Sequence, residues 1–268
     1  MSISTFYHDI DGFYTEITDF HPERVQDRIL LCLHGFGGSS RTFRRLALHL
    51  PDGLRMWSVS LPWHGDTQSD RTSMQLESYT HALAEMLKQQ KHAKVIIMAH
   101  SFGARIAAMF ALLYPERTSG LYLIAPGGYY PPEDFMFRFL GSFPMRRLIK
   151  NEIFLRPFVN FLIPGLPDEK RVQTTTALRN IGWSFPAISL KARGELFRLK
   201  KYPGKTILIV GEKDRLLKAS YAPKIAQYYS NCTVEVIRKS GHLPMVTHPK
   251  QIKDLLLKHS LRGTTRLK

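Results

Sequence analysis

A serine, a histidine and an acidic residue lie far apart in the chain, each in a short loop that contains glycine. Ser101 stands in the middle of residues 99–103, A-H-S-F-G, with one small residue two positions before it and another two positions after it. Small residues there are typical of a nucleophile elbow, a sharp strand-to-helix turn in which larger side chains would collide with a neighbouring strand. A serine that caps the N-terminus of a helix would also fit this pattern.

Candidates for a base and an acid follow later in the chain. A catalytic serine needs a base, and the base needs a carboxylate that fixes its tautomer and stabilises its protonated form. His242 stands in the motif S-G-H-L-P, and Asp214 ends the motif V-G-E-K-D, where we favour it over Glu212. Taken singly, the histidine fits a structural role and Asp214 fits a turn. Together, Ser101, Asp214 and His242 stand in the chain order of α/β-hydrolases, which differs from that of chymotrypsin or subtilisin.

A further glycine-containing loop offers backbone N–H groups. Residues 34–38, H-G-F-G-G, follow an apolar run and precede a helical pattern. The N–H groups of Phe36 and of Phe102, next to the serine, would form an oxyanion hole that stabilises negative charge on a reacting carbonyl oxygen. The loop also begins like a dinucleotide-binding turn. However, Ser40 stands where that turn needs Gly or Ala, and no acidic residue ends the following strand. We therefore favour the oxyanion hole.

Apolar runs of strand length precede these loops and alternate with helical patterns. The alternation predicts a mostly parallel, doubly wound sheet of the α/β class, in which reactive groups gather at the carboxyl ends of the strands. No element is predicted before residue 29, and the alternation stops between 129 and about 203, which we interpret as an insertion. We predict strands at 29–33, 54–61, 95–99, 121–125, 206–210 and 233–237, and helices at 39–50, 74–90, 102–114, 219–229 and from 249 onward.

With these loops in this order, the chain resembles the α/β-hydrolase superfamily, specifically its single-domain serine members with a cap. Residues 61–67, L-P-W-H-G-D-T, look like a degraded form of the family's D-x-P-G-x-G-x-S loop. Two positions depart from the family pattern, since Thr247 stands where Glu is frequent and Leu243 where C–C bond hydrolases often carry Trp. Because haloalkane dehalogenases and epoxide hydrolases use an aspartate nucleophile, Ser101 argues against both.

The resemblance divides the chain into an α/β-hydrolase core, residues 1–127 and 204–268, and a helical cap or lid, residues 128–203. The net charge is +16, and 13 of the excess positive charges lie in residues 128–205 and 250–268. One interpretation is a cap that packs apolar side chains on the core and leaves its cations in solvent. The other is an apolar acyl-chain tunnel rimmed by cations, suited to an anionic lipidic substrate or to an anionic membrane surface. Since no nucleic-acid-binding motif occurs, we expect no nucleic acid partner.

Three sequence features bear on the cellular compartment. The N-terminal residues lack the basic and then apolar order of a secretory signal, and no run reaches the roughly 18 apolar residues of a transmembrane helix. The two cysteines, Cys32 and Cys232, are far apart, so a disulfide framework is excluded and a reducing compartment is expected. We predict a cytoplasmic protein, with peripheral contact at the inner face of the membrane under the second interpretation of the cap.

These observations predict a serine hydrolase that cleaves a small-molecule ester or thioester with an apolar acyl part, through an acyl-enzyme intermediate. The sequence has no G-x-x-x-x-G-K-S/T, H-E-x-x-H or C-x-x-C motif, and the reaction requires no cofactor, so we expect neither a cofactor nor a metal. Two alternatives stay open. One is a C–C bond hydrolase or lyase that resembles SHCHC synthase, and the other is a non-catalytic ligand receptor on the same scaffold.

Four residues are candidates for substrate contacts. His34 and Gly35 belong to the predicted oxyanion loop, and Trp63 to the degraded family loop. Arg105 lies one helical turn beyond Ser101, a place where SHCHC synthase also carries arginine. It could face an anionic substrate, although an arginine in this place more often forms a structural ion pair.

Overall fold

A single sheet of eight strands runs through the part of the chain that the structure describes. The computed structural model describes residues 1–24, 28–71, 73–92, 94–129, 151–162 and 202–260, together with positions 168, 171, 172 and 175. The strands are β1 (Ile3–Ile10), β2 (Phe13–Phe20), β3 (Arg28–Leu33), β4 (Arg55–Val59), β5 (Lys94–His100), β6 (Thr118–Ile124), β7 (Thr206–Gly211) and β8 (Cys232–Ile237). Their order across the sheet is β1-β2-β4-β3-β5-β6-β7-β8. β2 pairs antiparallel with both β1 and β4, and all other pairs are parallel, which confirms the predicted α/β sheet.

The central strands are buried on both faces, as their continuous apolar sequences predict. In β3 the side chains from Ile29 to Leu33 have no exposed surface. The described helices are α1 (Arg44–Ala47), α2 (Leu76–Gln89), α3 (Gly103–Leu113), α4 (Glu152–Leu162), α5 (Ala222–Ala226), α6 (Pro244–Thr247) and α7 (Pro249–Ser260). Of these, α2 packs against α3, while α1 contacts α6 and α7.

The N-terminal hairpin of β1 and β2 is absent from the sequence prediction. Every residue of β2 except Tyr14 is buried, although half of the strand is polar. The buried polar groups bind distant parts of the chain: Asp19 accepts from Arg55 Nε at 3.0 Å, and Glu16 accepts from Ser60 Oγ at 2.6 Å. These remote partners allow polar side chains of β2 to be buried. The strand therefore lacks the alternation of polar and apolar residues by which a strand is recognised in a sequence.

Two predicted helices are shorter in the structure than the sequence suggests. Residues 39–50 form a 3₁₀ turn at Ser40–Phe43 followed by α1, and residues 219–229 form a 3₁₀ turn at Ala219–Tyr221 followed by α5. Tightened turns of this kind are frequent at helix N-termini. The remaining strands and helices of the prediction agree with the structure to within a few residues.

Most of the predicted cap, residues 128–203, lies outside the described residues, so the division into core and cap stays a prediction. Inside it, α4 buries Leu155 and Val159, which share one face of the helix because they are four positions apart. Ile153 and Phe154 of the same helix are 76% and 55% exposed. Among the described helices, none combines the length and the apolar character that a membrane crossing requires.

Candidate active site

Ser101 stands at a sharp turn between β5 and α3. Its φ of +46° lies in the left-handed region, which a residue with a side chain adopts only when surrounding contacts hold it there. Two backbone hydrogen bonds from β6 and the residues after it supply such contacts: Ser101 N–H donates to Ile124 O at 2.9 Å, and Gly127 N–H donates to Ser101 O at 3.1 Å. A Cβ at Gly103 would lie 2.5 Å from His34 O, which explains the small residue. This is the geometry of the predicted elbow.

The loops after β7 and β8 bring Asp214 and His242 together. His242 Nδ1 lies 2.7 Å from Asp214 Oδ2, and both side chains are buried. The other carboxylate oxygen, Oδ1, accepts the backbone N–H groups of Leu216 at 2.8 Å and Leu217 at 3.0 Å. With its oxygens held in this way, the carboxylate can bind the Nδ1 proton of His242 and leave Nε2 to exchange a proton with a nucleophile. Glu212 is exposed, and its carboxylate accepts Lys239 N–H at 2.8 Å instead.

His100, directly before Ser101, connects the nucleophile strand to the loop of the base. Its Nε2–H donates to the backbone carbonyl of His242 at 3.0 Å, and the two imidazole rings meet edge to face with centroids 4.7 Å apart. Burial lowers the pKa of His100 well below its ordinary value, and the nearby His242 lowers it further. A neutral His100 therefore holds the backbone of the base loop. This role was not predicted from the sequence, where its signal is a histidine directly beside the candidate nucleophile.

Two other histidines brace the predicted oxyanion loop by reciprocal contacts. His34 Nε2 accepts Leu61 N–H at 2.9 Å, while His64 Nε2 accepts Gly37 N–H at 3.1 Å. Each ring uses its Nδ1–H on a carbonyl of its own loop, Gly35 O for His34 and Pro62 O for His64. Each Nε2 must be unprotonated to accept.

The electrostatic surroundings agree with these contacts. Burial lowers the pKa of His34 well below its ordinary value, and it lowers the pKa of His64 to about 4. Both rings are therefore neutral at physiological pH. Because each neutral ring accepts an N–H group of the other loop, the loops after β3 and β4 are held together.

The oxyanion loop packs directly against the nucleophile. A Cβ built on Gly35 would collide with His100 Nδ1 and lie 2.9 Å from Ser101 Cβ. Phe36 follows in this loop with its ring edge on His64, at a centroid distance of 5.3 Å. Phe102 directly precedes α3, where backbone N–H groups have no acceptor within the helix. The structure thus packs the loop of Phe36 against Ser101 and places Phe102 at the start of α3; their role as oxyanion donors stays a prediction.

The four predicted substrate contacts occupy packing positions. His34 is fully buried with both ring nitrogens on backbone groups, and Gly35 lies against Ser101. Trp63 packs edge to face on Phe13, and its indole N–H donates to Arg71 O at 3.0 Å.

Arg105 is buried in α3, near Tyr129. Burial raises the pKa of Tyr129, and the positive charge of Arg105 opposes that rise. A contact between substrate and any of these four predicted residues, Arg105 included, stays a prediction.

Neither cysteine is suited to act as a nucleophile. Burial raises the pKa of the Cys32 thiol well above its ordinary value and that of Cys232 to about 11. Both thiols are therefore protonated at neutral pH and weakly nucleophilic. Across the described ranges, no three His, Cys, Asp or Glu side chains gather closely enough to hold a metal ion.

Known proteins share this fold and sequence pattern. The chain matches the model of the alpha/beta hydrolase family over residues 30–255, and it therefore belongs to that family. It is 25% identical to human monoacylglycerol lipase ABHD6 over 252 residues, which cover 85% of this chain and 74% of the relative. It is 27% identical over 260 residues to a Bacillus subtilis protein assigned as a 2-succinyl-6-hydroxy-2,4-cyclohexadiene-1-carboxylate synthase, with 90% and 92% covered.

Among solved structures, a bacterial membrane phospholipase A superposes with a TM-score of 0.80 at 22% identity, over 99% of this chain and 87% of that chain. This likeness confirms the predicted α/β-hydrolase fold. The family match and the similarity to a lipase make the protein an α/β-hydrolase enzyme.

Proposed function

We propose that the protein is a serine hydrolase that cleaves a carboxylic ester or thioester with an apolar acyl part. The observation that carries the proposal is the 2.7 Å hydrogen bond between His242 and Asp214, in a loop that His100 ties to the strand bearing Ser101. The similarity to a monoacylglycerol lipase supports an acyl ester as substrate. The aromatic and aliphatic residues of the predicted cap support an apolar acyl part.

In the proposed reaction, His242 Nε2 takes the proton of Ser101 Oγ as this oxygen attacks the carbonyl carbon. The N–H groups of Phe36 and Phe102 bind the resulting oxyanion, and Asp214 stabilises the imidazolium. The tetrahedral intermediate then collapses: the bond between the acyl carbon and the leaving oxygen or sulfur breaks, and His242 gives its proton to the departing alkoxide or thiolate. The acyl group remains bound to Ser101 Oγ. A water molecule, deprotonated by His242, attacks the acyl carbon, and collapse of the second tetrahedral intermediate returns the proton to Ser101 Oγ and releases the carboxylic acid.

Labelling with a fluorophosphonate tests the nucleophile, and a panel of chromogenic esters of increasing chain length tests the substrate. We expect covalent label on Ser101 and a burst of product that corresponds to acyl-enzyme formation. The chain length with the highest kcat/KM then defines the acyl part. Tight binding of esters without label and without turnover would instead identify a ligand receptor on this scaffold.

A lyase or C–C bond hydrolase of the same fold is the second candidate. The similarity to the Bacillus subtilis synthase favours it, as does the arginine at position 105. Against it stand the burial of Arg105 and the leucine at position 243, where C–C bond hydrolases of the family often carry tryptophan. Turnover of a carboxylate-bearing elimination substrate by a protein inactive on every ester of the panel would establish this alternative.

We further propose that the cap region contacts an anionic membrane surface. The exposed Ile153 and Phe154 of α4 lie next to the exposed Arg156, and residues 128–205 carry a net charge of +8. Apolar side chains flanked by cations are typical of segments that lie at a lipid interface. Each cation near such a surface contributes about 1 kcal/mol of attraction, so several cations are enough for reversible association.

Co-sedimentation with vesicles tests this contact. We expect binding to anionic vesicles at low salt, little binding to neutral vesicles, and loss of binding at about 0.5 M salt, where the Debye length falls to a few ångströms. Ile153→Ser with Phe154→Ser, and separately Arg146→Glu with Arg147→Glu, should weaken binding without loss of activity on a small soluble ester. Leu48→Ser is the matched control, since Leu48 is 60% exposed on the core. Equal binding to both vesicle types would exclude an electrostatic contact.

A further inference from the structure

Glu16 is a buried carboxylate of β2 that forms hydrogen bonds with both ends of residues 60–67, the segment directly after β4. It is 2% exposed. Its Oε2 accepts from Ser60 Oγ at 2.6 Å and from Asp66 N–H at 3.1 Å. Its backbone binds the same loop, because Ser60 N–H donates to Glu16 O at 2.9 Å and Glu16 N–H donates to Thr67 Oγ1 at 3.1 Å. A buried carboxylate is costly unless such bonds compensate it, so the two segments are strongly coupled.

The loop that Glu16 holds reaches the oxyanion loop at two places. Ser60 Oγ, which donates to Glu16, accepts Ser40 N–H at 2.8 Å. Further along, His64 Nε2 accepts Gly37 N–H at 3.1 Å. The segment from Gly37 to Ser40 directly follows Phe36, the predicted oxyanion donor, and both of its ends bind residues of the 60–67 segment that Glu16 contacts. The one cation near the carboxylate in the described contacts is Arg41, mostly exposed, with Nη2 4.0 Å from Oε1.

We propose that Glu16 is a positioning residue for the oxyanion loop. It acts through Ser60 and through the backbone of residues 60–67, which place His64 so that its ring holds the amide of Gly37. The kinetic consequence rests on the ester hydrolysis proposed above, because a well-placed Phe36 N–H matters only where an oxyanion forms. The structural consequence, an ordered Gly37 amide, does not depend on any reaction.

The test compares Glu16→Ala with Asp19→Ala. Asp19 lies on the same strand, is equally buried, and binds Arg55 rather than a loop of the site. Both variants should lose folding stability. Only Glu16→Ala should lower kcat, by about tenfold with little change in KM, since outright loss of an oxyanion donor costs about 10²–10³ in kcat. Hydrogen exchange of the Gly37 amide should be faster in Glu16→Ala than in the parent, and unchanged in Asp19→Ala.

A rescue variant tells positioning apart from a general loss of packing. Because Ser60 Oγ lies beside the Glu16 carboxylate and also binds Ser40 N–H, an aspartate at position 60 would return a carboxylate to this place. We expect Glu16→Ala with Ser60→Asp to regain most of the kcat and the slow exchange of Gly37. If Glu16→Ala does not fold, Glu16→Gln replaces it in the test. Glu16→Gln keeps the side-chain volume and one hydrogen-bond acceptor, so we expect a smaller decrease in kcat and a smaller increase in Gly37 exchange.

The outcomes separate this proposal from the proposed function. If the parent turns over no ester, the proposed hydrolysis is wrong, and the exchange of the Gly37 amide alone decides the role of Glu16. If kcat and Gly37 exchange in Glu16→Ala match those of Asp19→Ala, Glu16 only stabilises the fold and the positioning role is overturned.

Discussion

Two parts of the candidate site are built differently. In the base side, the loops after β7 and β8, the structure pairs two ionisable side chains, Asp214 and His242. In the oxyanion side, the loops after β3 and β4, histidines accept backbone N–H groups. The base side needs few contacts: one carboxylate and one imidazole, carried by the loops that follow two neighbouring strands, β7 and β8. The oxyanion side depends on a longer series of contacts that begins at Glu16 in β2.

The difference suits what the proposed hydrolysis requires of each side. In that reaction a proton moves on the base side, so the groups there change charge, and a carboxylate stabilises the charged form. The oxyanion side must present fixed N–H dipoles that do not reorganise during the reaction. Neutral imidazoles as acceptors suit this purpose, because each Nε2 holds a backbone amide in one direction.

Replacement of the residue shared by both sides should have the largest effect. We expect Ser101→Ala to lower kcat/KM by a factor on the order of 10⁴ or more while the fold is retained, as for other members of a triad. Thermal unfolding checks the fold, and Ser73→Ala, at an exposed serine, is the control. Hydrolysis by the alanine variant at a rate close to that of the parent would refute the nucleophile.

The base side is tested by its two acidic candidates. We expect Asp214→Asn to lower the rate by about 10⁴, because the amide stabilises the wrong tautomer of the base. Glu212→Gln should be nearly normal, since Glu212 is exposed and binds Lys239 N–H. Steady-state kinetics on one chromogenic ester decide between them, and the reverse pattern would assign the acid to Glu212.

The oxyanion side is tested by a glycine pair. Gly35→Ala places a methyl group against His100 and within 2.9 Å of Ser101 Cβ, so the loop or the nucleophile must move. A displacement of about 1 Å in a reacting group can cost about 10²-fold in rate. Gly241→Ala on the base side is the matched control, because a Cβ there meets nothing within 4 Å. Equal rates in the two variants would show that the tight packing at Gly35 does not matter for catalysis.

The smallest effect concerns pH. The pKa of His64 is lowered to about 4 by burial, so below pH 6.5 the unfolded chain binds the proton more readily and folding stability falls as the pH falls from 6.5 towards 4. For His64 alone, this amounts to about 2 kcal/mol between pH 7 and pH 5. His34 and His100 act in the same direction.

The substitution His64→Gln measures this contribution. The Gln oxygen can accept Gly37 N–H but does not titrate, so the variant should lose less stability in acid than the parent. Urea denaturation at pH 5, 6, 7 and 8 measures the difference. Parallel pH profiles in the two proteins would show that His64 is not held neutral by the fold.

Much of the fold could be predicted from the sequence, because the patterns that indicate it involve residues that are adjacent in the chain. The apolar runs that form β3, β5, β6 and β7 are continuous, since parallel strands are buried on both faces. The motif around Ser101 and the order of Asp214 and His242 follow from the steric and chemical needs of a few adjacent residues, and the structure brings the last two into contact.

The tertiary structure alone decided the features that depend on distant partners. From its sequence alone β2 resembles a polar segment. Its burial is explained only by the tertiary structure, which places Arg55 beside Asp19 and Ser60 beside Glu16. The roles of His34, His64 and His100 depend on which backbone group each ring nitrogen meets, and those groups lie in other loops. A buried polar side chain is tolerated only when a partner satisfies it, and no local pattern of residue types can name a partner that folding brings from elsewhere in the chain.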